Sequence, residues 1–234
     1  DLTELALSGI LYYVSQVINH LIETGGLQTG SDKSKSLRIC LGGKASTLYK
    51  IVFEDSEDQE SLSKMVEKVT GGIFTSIGIV FTDAPKHEVS YGLLVDKTGA
   101  TDLDLTDRSH ETVIGEDVIV GKNKVGIVSE LNPDSPWRVK DITQLKTFLK
   151  YLKAYSKIPV NLTKKFEGDL EGKINAALKD GQSRAQDLKQ NMQSVEGDDS
   201  LAEIQKTSSI VEPVFILGLK QVITEITSGK LKLK

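Results

Sequence analysis

The first third of the chain contains apolar stretches of helical and of strand length. Apolar residues at near-helical spacing predict a buried amphipathic helix over residues 2–22. A short apolar run at 37–41 ends at Gly42 and Gly43, which predicts a buried strand that enters a tight turn. The elements expected next are helices over 46–53 and 62–69, a strand over 77–81 and a helix over 88–95.

Two strand-to-helix units therefore follow each other in this part of the chain. Consecutive units of this kind usually build one α/β layer with short connections. We expect the strands at 37–41 and 77–81 to be neighbours in one sheet. The helices that begin after Gly43 and after Pro85 should pack on that sheet.

The middle of the chain changes character and becomes rich in β-branched residues. The runs 113–120 and 125–129 flank Gly121 and polar residues, which is typical of a β-hairpin. Trp137 opens the element after the following loop, and helical spacing resumes over 142–152. These signals predict a β-rich segment followed by helices.

The final third is predicted to be helical. A weak apolar stripe covers 170–195, and 214–226 is the most apolar helical stretch after the first. We expect this last helix to be buried, against the first helix, and to begin near Ser209 with Pro213 about one turn in. The division expected from these patterns is an α/β segment over 1–96, a β-rich hairpin segment over 97–139 and a mainly helical part over 140–234.

Composition narrows the classes of function. The 234 residues carry 29 basic and 33 acidic side chains, and a net charge of −4 argues against a dedicated nucleic-acid binder. The single cysteine, Cys40, cannot form an intramolecular disulfide, and it is expected to be a small buried apolar residue. Three scattered histidines make a histidine-rich metal site improbable.

The apolar N-terminal stretch raises the question of a membrane helix. Ser8, Ser15, Gln16, Asn19 and His20 interrupt it, and no run reaches the roughly 18 consecutive apolar residues of a typical span. It also lacks the basic start and cleavage site of a signal peptide. We therefore expect a cytoplasmic protein without a membrane partner. Because the chain starts with an aspartate inside this helix, we expect it to be a fragment of a longer protein.

The sequence comes close to two motifs of phosphate chemistry but lacks required residues of each. A P-loop would require glycine where Arg38 stands and Ser or Thr where Ala45 stands, so Gly43-Lys44 does not form one. The sequence DKTGA, residues 96–100, is close to the phosphorylation motif of ion-pumping ATPases, but Ala100 replaces its threonine. What is left at Gly42-Gly43 is a turn that needs glycine, or one that lets a ligand approach the backbone.

One combination of elements is more specific. A buried helix precedes the strand 37–41, Gly42-Gly43 and a helix; a second strand is then followed by the segment APKHEVSYGLL, residues 84–94. This order resembles the second lobe of the actin/Hsp70 ATPase superfamily, in particular that of bacterial actin-like or Hsp70-like proteins. The resemblance covers residues 1–95. It implies an α/β fold with a ribonuclease-H-like sheet, followed here by a mainly helical part.

The resemblance also implies a set of site residues. Gly42 and Gly43 match the glycine pair whose backbone faces the adenosine of ATP. Lys44 and Ser46 match the next contact positions, and Lys86 matches a position near the adenine. Ser46 stands where Hsp70 has an arginine that packs on the base. The sequence has no phosphate loop of the Asp-Gly-Gly-Thr type, which in the family lies upstream.

The function that the resemblance implies is the adenosine-side half of an ATP site, in a chain that is not catalytically competent alone. ATP would bind weakly, or only in the full-length protein, and the requirement for Mg²⁺ is open. The implied partners are the upstream lobe of the same protein and, through the helical part, another protein. The alternatives are an interaction or scaffold protein that keeps the fold without nucleotide chemistry, and an unrelated α/β enzyme.

Overall fold

The computed structural model describes residues 2–25, 36–81, 112–155, 163–192 and 211–231. The contacts divide the chain into two compact units, residues 1–108 and 109–234. The expected mixed α/β class is confirmed, with small sheets and with helices predominating after residue 142. The β-rich and helical segments that the sequence separated at residue 139 both belong to unit 2, and the predicted boundary at residue 96 lies outside the described residues.

In the residues that the structure describes, unit 1 contains three helices and a parallel pair of strands. Its elements are α1 (Leu2–Glu23), β1 (Ser36–Leu41), α2 (Gly43–Val52), α3 (Ser56–Val69) and β2 (Ser76–Phe81). The strands pair in parallel, from Ser36 opposite Ser76 to Leu41 opposite Phe81. Since α2 and α3 both pack against β2, and α1 packs against both helices, the expected arrangement of neighbouring strands with the Gly43 helix on them is confirmed. The helix expected after Pro85 lies outside the described residues.

The strand β1 is buried on one face, whereas the sequence predicted a buried strand. Ile39 points into the core, while Arg38 and Cys40 are exposed on the other face. The expectation that Cys40 is buried is therefore wrong: its thiol lies on the exposed face, beside the partly exposed Val80 on β2. The alternation of a strand decides this, because successive side chains point to opposite faces.

The buried face of the helix α1 includes only some of its apolar residues. Leu5, Leu11 and Tyr12 are almost completely buried, but Ile10 is 46% exposed. Ser15 is buried among them because its hydroxyl group donates to the backbone oxygen of Leu11 at 2.8 Å. By length and composition this 22-residue helix could cross a membrane, despite its polar interruptions; a buried core helix or a signal sequence meets the same criterion.

Glycine ends the helix α3. Gly71 and Gly72 have φ of 67° and 68°, a backbone conformation that other residues rarely adopt. The amide of Gly72 donates to the oxygen of Glu67 at 2.8 Å, and that of Gly71 to the oxygen of Lys68 at 3.3 Å. This is the Schellman pattern of a helix C-terminus, and the predicted end of this helix at residue 69 is confirmed.

The described part of unit 2 packs three helices on a three-stranded antiparallel sheet. Its elements are β3 (Val113–Val120), β4 (Asn123–Ile127), a short 3₁₀ turn (Val128–Glu130), β5 (Trp137–Asp141), α4 (Thr143–Tyr155), α5 (Lys164–Met192) and α6 (Val214–Thr227). The strand order is β4-β3-β5. The predicted hairpin is confirmed, but its loop is only Gly121-Lys122 because Val120 pairs with Asn123. Gly121, with φ of 62°, fits the first position of a two-residue hairpin turn.

The core of unit 2 lies where its helices meet the sheet. The predicted burial of the last helix is confirmed: Val214, Phe215, Leu219 and Val222 are at most 4% exposed. Within the unit, α6 packs on α5, β3 and α4, and Phe215 meets Phe148 of α4 edge to face at 5.7 Å. The helix begins at Val214 with Pro213 at the N-cap, so the expected start near Ser209 is wrong. Proline has no backbone N–H to contribute to a helix interior, which favours this position.

Candidate functional site

The turn between β1 and α2 is the candidate site that the sequence predicted. Gly42 is the N-cap of α2 with extended backbone, at φ of −110° and ψ of 178°. Gly43, the first helical residue, has φ of 66°, and an added Cβ there would meet no atom within 4 Å. The backbone angle thus requires glycine at 43, while the space around it stays open.

The start of α2 lacks the usual side-chain complement of a helix N-terminus. Gly42 has no side chain to cap the helix, and the first turn contains no acidic residue. The positive end of the helix dipole is therefore not balanced by a carboxylate of the first turn. The backbone of Lys44 lies in this turn, and its side chain lies outside the described part of the structure.

Ser46 is placed differently from what a ligand contact requires. Its side chain is completely buried, and its hydroxyl group donates to the backbone oxygen of Gly43 at 2.8 Å. A buried side chain offers no surface to a ligand. Ser46 therefore acts on the site through Gly43, by holding the first turn of α2.

The two described strands of unit 1 end at the same edge of their sheet. Leu41 and Phe81 are register partners in the parallel pair, so the chain leaves both strands at one edge. The segment 84–94 begins three residues after Phe81 in sequence. Lys86, the site residue predicted in that segment, lies outside the described residues.

Tyr49 fixes α2 against its neighbours. Its hydroxyl group donates to the backbone oxygen of Leu7 on α1 at 2.7 Å, and its ring lies 6.3 Å from that of Phe81. Burial raises the pKa of the Tyr49 phenol to about 12. The phenol therefore stays neutral and donating throughout the physiological range, and the helix that carries the glycine turn has a fixed position in unit 1.

The turn between β1 and α2 offers backbone groups for the binding of a ligand. Backbone groups of a glycine turn at the carboxyl end of a parallel strand suit a nucleotide or another polar ligand, because Gly42 and Gly43 have no side chains of their own to cover them. Among the described residues, no group of three or more His, Cys, Asp or Glu side chains is placed to hold a metal ion.

A second polar site, in unit 2, was missed by the sequence analysis. Gly115 has φ of 75° in the middle of β3, and the pairing register shifts between Val113 and Val118. Such a bulge re-aims the side chains beside it. Here Glu116 is only 6% exposed, and its carboxylate accepts the backbone amides of Gln144 at 3.1 Å and Leu145 at 2.8 Å. A glutamate within an apolar strand was the available sequence signal.

The environment of Glu116 perturbs its ionisation. Burial raises the pKa of the Glu116 carboxyl group to about 8, against the opposing effect of the hydrogen bonds from Leu145 and Gln144. The charges of Asp117 and Asp141 raise the pKa further. Lys146 does not neutralise this site, since its ammonium group pairs with Asp141 at 2.8 Å and with Glu167 at 3.2 Å.

The described residues of unit 2 also line a groove. It has a volume of about 530 Å³ and lies along the first half of α5 and the end of α6. Its lining includes small residues, and two further lining residues, Lys173 and Lys230, both pair with the buried Glu225. The small residues are Gly168, Gly172 and Ala176.

Comparison of the chain with protein-family models, with curated proteins and with solved structures finds no match.

Proposed function

We propose that unit 1 carries the adenosine-side half of an ATP site, in the second lobe of an actin/Hsp70-like ATPase. One observation carries this proposal: β1, which leads into the glycine turn, and β2, which precedes the segment 84–94 in sequence, end at the same edge of a parallel pair. Ligands of open α/β sheets bind at the carboxyl ends of the strands, where loops of neighbouring strands converge. The glycine turn and the segment 84–94, which carry the resemblance to the family, each come after one of these strands in the sequence.

The residues then have separate roles. The backbone at Gly42 and Gly43 covers one face of the adenosine, since neither residue has a side chain that would block it. Lys44 and Lys86 supply positive charge near the nucleotide. Ser46 is a positioning residue, because its hydroxyl group holds the oxygen of Gly43.

The mechanism of the complete protein would be that of a hinged clamp. An upstream lobe of the same protein would contribute the loops that hold the phosphates and any Mg²⁺, and ATP would bridge the two lobes. Phosphoryl transfer needs that charge neutralisation, so this chain alone is not expected to hydrolyse ATP. A cytoplasmic location is part of the proposal.

Isothermal titration calorimetry with ATP, ADP and adenosine tests the proposal. We expect weak binding of all three, with adenosine retaining most of the affinity, and we expect Gly43→Ala to abolish it. Gly71→Ala is the matched control. Gly71 has a φ of 67°, nearly that of Gly43, and an added Cβ would likewise meet no atom within 4 Å. It lies before the amino end of β2, away from the carboxyl ends of the strands. Equal loss of binding in both variants would show that unit 1 had been damaged generally.

The second candidate is an interaction or scaffold protein without nucleotide chemistry. The groove along α5 favours this candidate, because glycines of the helix line it. A glycine in a helix costs about 1 kcal/mol of stability relative to alanine, so its presence calls for an explanation. An added Cβ at Gly168 or Gly172 would meet nothing within 4 Å, so internal packing does not explain either glycine. Absence of binding at millimolar nucleotide, in this chain and in a longer chain with the upstream lobe, would favour this candidate.

A further inference from the structure

The N-cap residue of α4 has no side-chain acceptor for the amides of the first turn. Ile142 occupies the N-cap position, since its backbone oxygen accepts the amide of Lys146 at 3.0 Å, and its apolar side chain is fully buried. The amides of Gln144 and Leu145 are the second and third of the helix, which an N-cap side chain normally accepts. Glu116 takes that role from a different element, β3.

The charged groups around Glu116 are engaged with other partners. On β3 and β4, Asp117 pairs with Lys124 at 2.7 Å. Asp141 of β5 pairs with Lys146 of α4. The other charged residues of these two elements are all exposed: Arg138, Lys140, Lys150 and Lys153. On α6, which also packs against β3, the charged residues are Lys220, which pairs with Glu212, and Glu225, which pairs with Lys173. Within the described part of the chain, then, no cation pairs with Glu116.

We propose that Glu116 is a pH-sensitive cap of α4. As a carboxylate, it offers both oxygens as acceptors, one to each backbone amide. When it binds a proton, one oxygen becomes a hydroxyl donor that faces an amide donor, and only the carbonyl oxygen remains a good acceptor. Gain or loss of one proton, exchanged with the solvent, thus changes how firmly β3 holds the first turn of α4.

The direction of the switch follows from burial. Burial raises the pKa of Glu116 from the usual 4.5 to about 8 in the folded chain. Between these two pH values the folded chain keeps a proton on Glu116 that the unfolded chain has released. The associated stability is fully present below pH 4.5 and is lost as the pH rises through about 8. The cap itself becomes stronger over the same interval. Global stability and local capping therefore change in opposite directions.

Nuclear magnetic resonance of the whole chain between pH 4 and pH 10 tests the proposal. We expect the carboxyl carbon of Glu116 and the amide protons of Gln144 and Leu145 to titrate together, with a midpoint near 8. Both amide protons should move downfield as the carboxylate forms, because charge-assisted hydrogen bonds are shorter and stronger. A shared midpoint near 4.5, or amide shifts that do not follow the carboxyl carbon, would overturn the proposal.

Two variants separate capping from a general effect of pH. Glu116→Gln removes the proton site, so the titration of both amides should disappear. Asp117→Asn keeps the site and removes a neighbouring negative charge that raises the pKa, so it should move the midpoint to lower pH. Asp117 is partly exposed, and its loss breaks only a surface ion pair, so this variant is expected to fold. An unchanged midpoint in Asp117→Asn would contradict the assignment to Glu116.

Discussion

The side-chain oxygen of Asn175 accepts the backbone amide of Val139 at 2.8 Å. Val139 lies in β5, which is an edge strand of the order β4-β3-β5, and Asn175 lies in α5. An edge strand presents unpaired backbone groups that can pair with another chain. Here a helix supplies the acceptor for this backbone group of β5.

Gln182, two turns further along α5, also hydrogen-bonds to the backbone of β5 and of the loop before it. Its oxygen accepts the amide of Trp137 at 3.2 Å, and its nitrogen donates to the backbone oxygens of Pro133 at 2.8 Å and Ser135 at 2.7 Å. Trp137 and Val139 are two residues apart, which is the interval at which the amides of a strand point to the same side. One helix face therefore binds both the edge of β5 and the loop before it.

We expect Asn175→Ala and Gln182→Ala to destabilise unit 2 by about 1–3 kcal/mol each, because each leaves a partly buried amide without its acceptor. Urea unfolding followed by the fluorescence of Trp137 measures this. Trp137 is the only tryptophan and is 5% exposed, so its emission reports unit 2.

Ser183→Ala is the control for these variants. Ser183 lies on the same helix and its hydroxyl group only donates to the oxygen of Lys179. Its replacement should change the free energy of unfolding by no more than about 0.5 kcal/mol. If Asn175→Ala were equally mild, the edge of β5 would not depend on α5.

The elements of the fold that the sequence predicted well are those with local signals. The strand 37–41 and its helix were predicted from an apolar run and two glycines, and Gly43 does have the positive φ that such a turn needs. The predicted hairpin also formed, because Gly121 marks the turn between two β-branched runs. In each case the residues that determine the element are adjacent in sequence.

The polar contacts of Glu116 and Asn175 could not be predicted, because each joins residues far apart in sequence. Glu116 caps a helix 28 residues away, and Asn175 accepts from a strand 36 residues away. Neither relationship leaves a periodic pattern. The exposed position of Cys40 was missed for a related reason: an apolar run does not reveal which face of a strand is covered.

We expect Tyr49→Phe to destabilise unit 1 by about 0.5–1.5 kcal/mol, since it removes one buried hydrogen bond and keeps the ring contacts. The bond to Leu7 joins α2 to α1. Amide hydrogen exchange of α2 should accelerate, whereas the Trp137 transition of unit 2 should not move. An unchanged exchange rate in α2 would show that the phenol does not hold the helix.

Two helix glycines should respond to alanine with opposite signs. At Gly218 of α6, an added Cβ would lie 2.8 Å from Cδ2 of the buried Leu145 and 3.4 Å from Cδ1 of Ile174. Gly218→Ala should therefore destabilise by about 1 kcal/mol, because overpacking outweighs the gain in helix propensity. Gly172→Ala, with no atom within 4 Å of its Cβ, should stabilise by about 0.5–1 kcal/mol. Urea midpoints measured through Trp137 that shift in the same direction would contradict this packing.

Gly115 of β3 should be sensitive to alanine for a reason of backbone geometry. With φ of 75° at this position, alanine would have to adopt a left-handed conformation that costs about 1–2 kcal/mol. Because the bulge aims Glu116 at α4, we also expect the amide of Leu145 to exchange faster in Gly115→Ala. Gly126→Ala in β4 is the matched control: Gly126 has no positive φ, and its added Cβ would meet no atom within 4 Å. Equal destabilisation by the two variants in urea unfolding would contradict the backbone strain, and unchanged exchange of the Leu145 amide would mean that the bulge at Gly115 does not position Glu116.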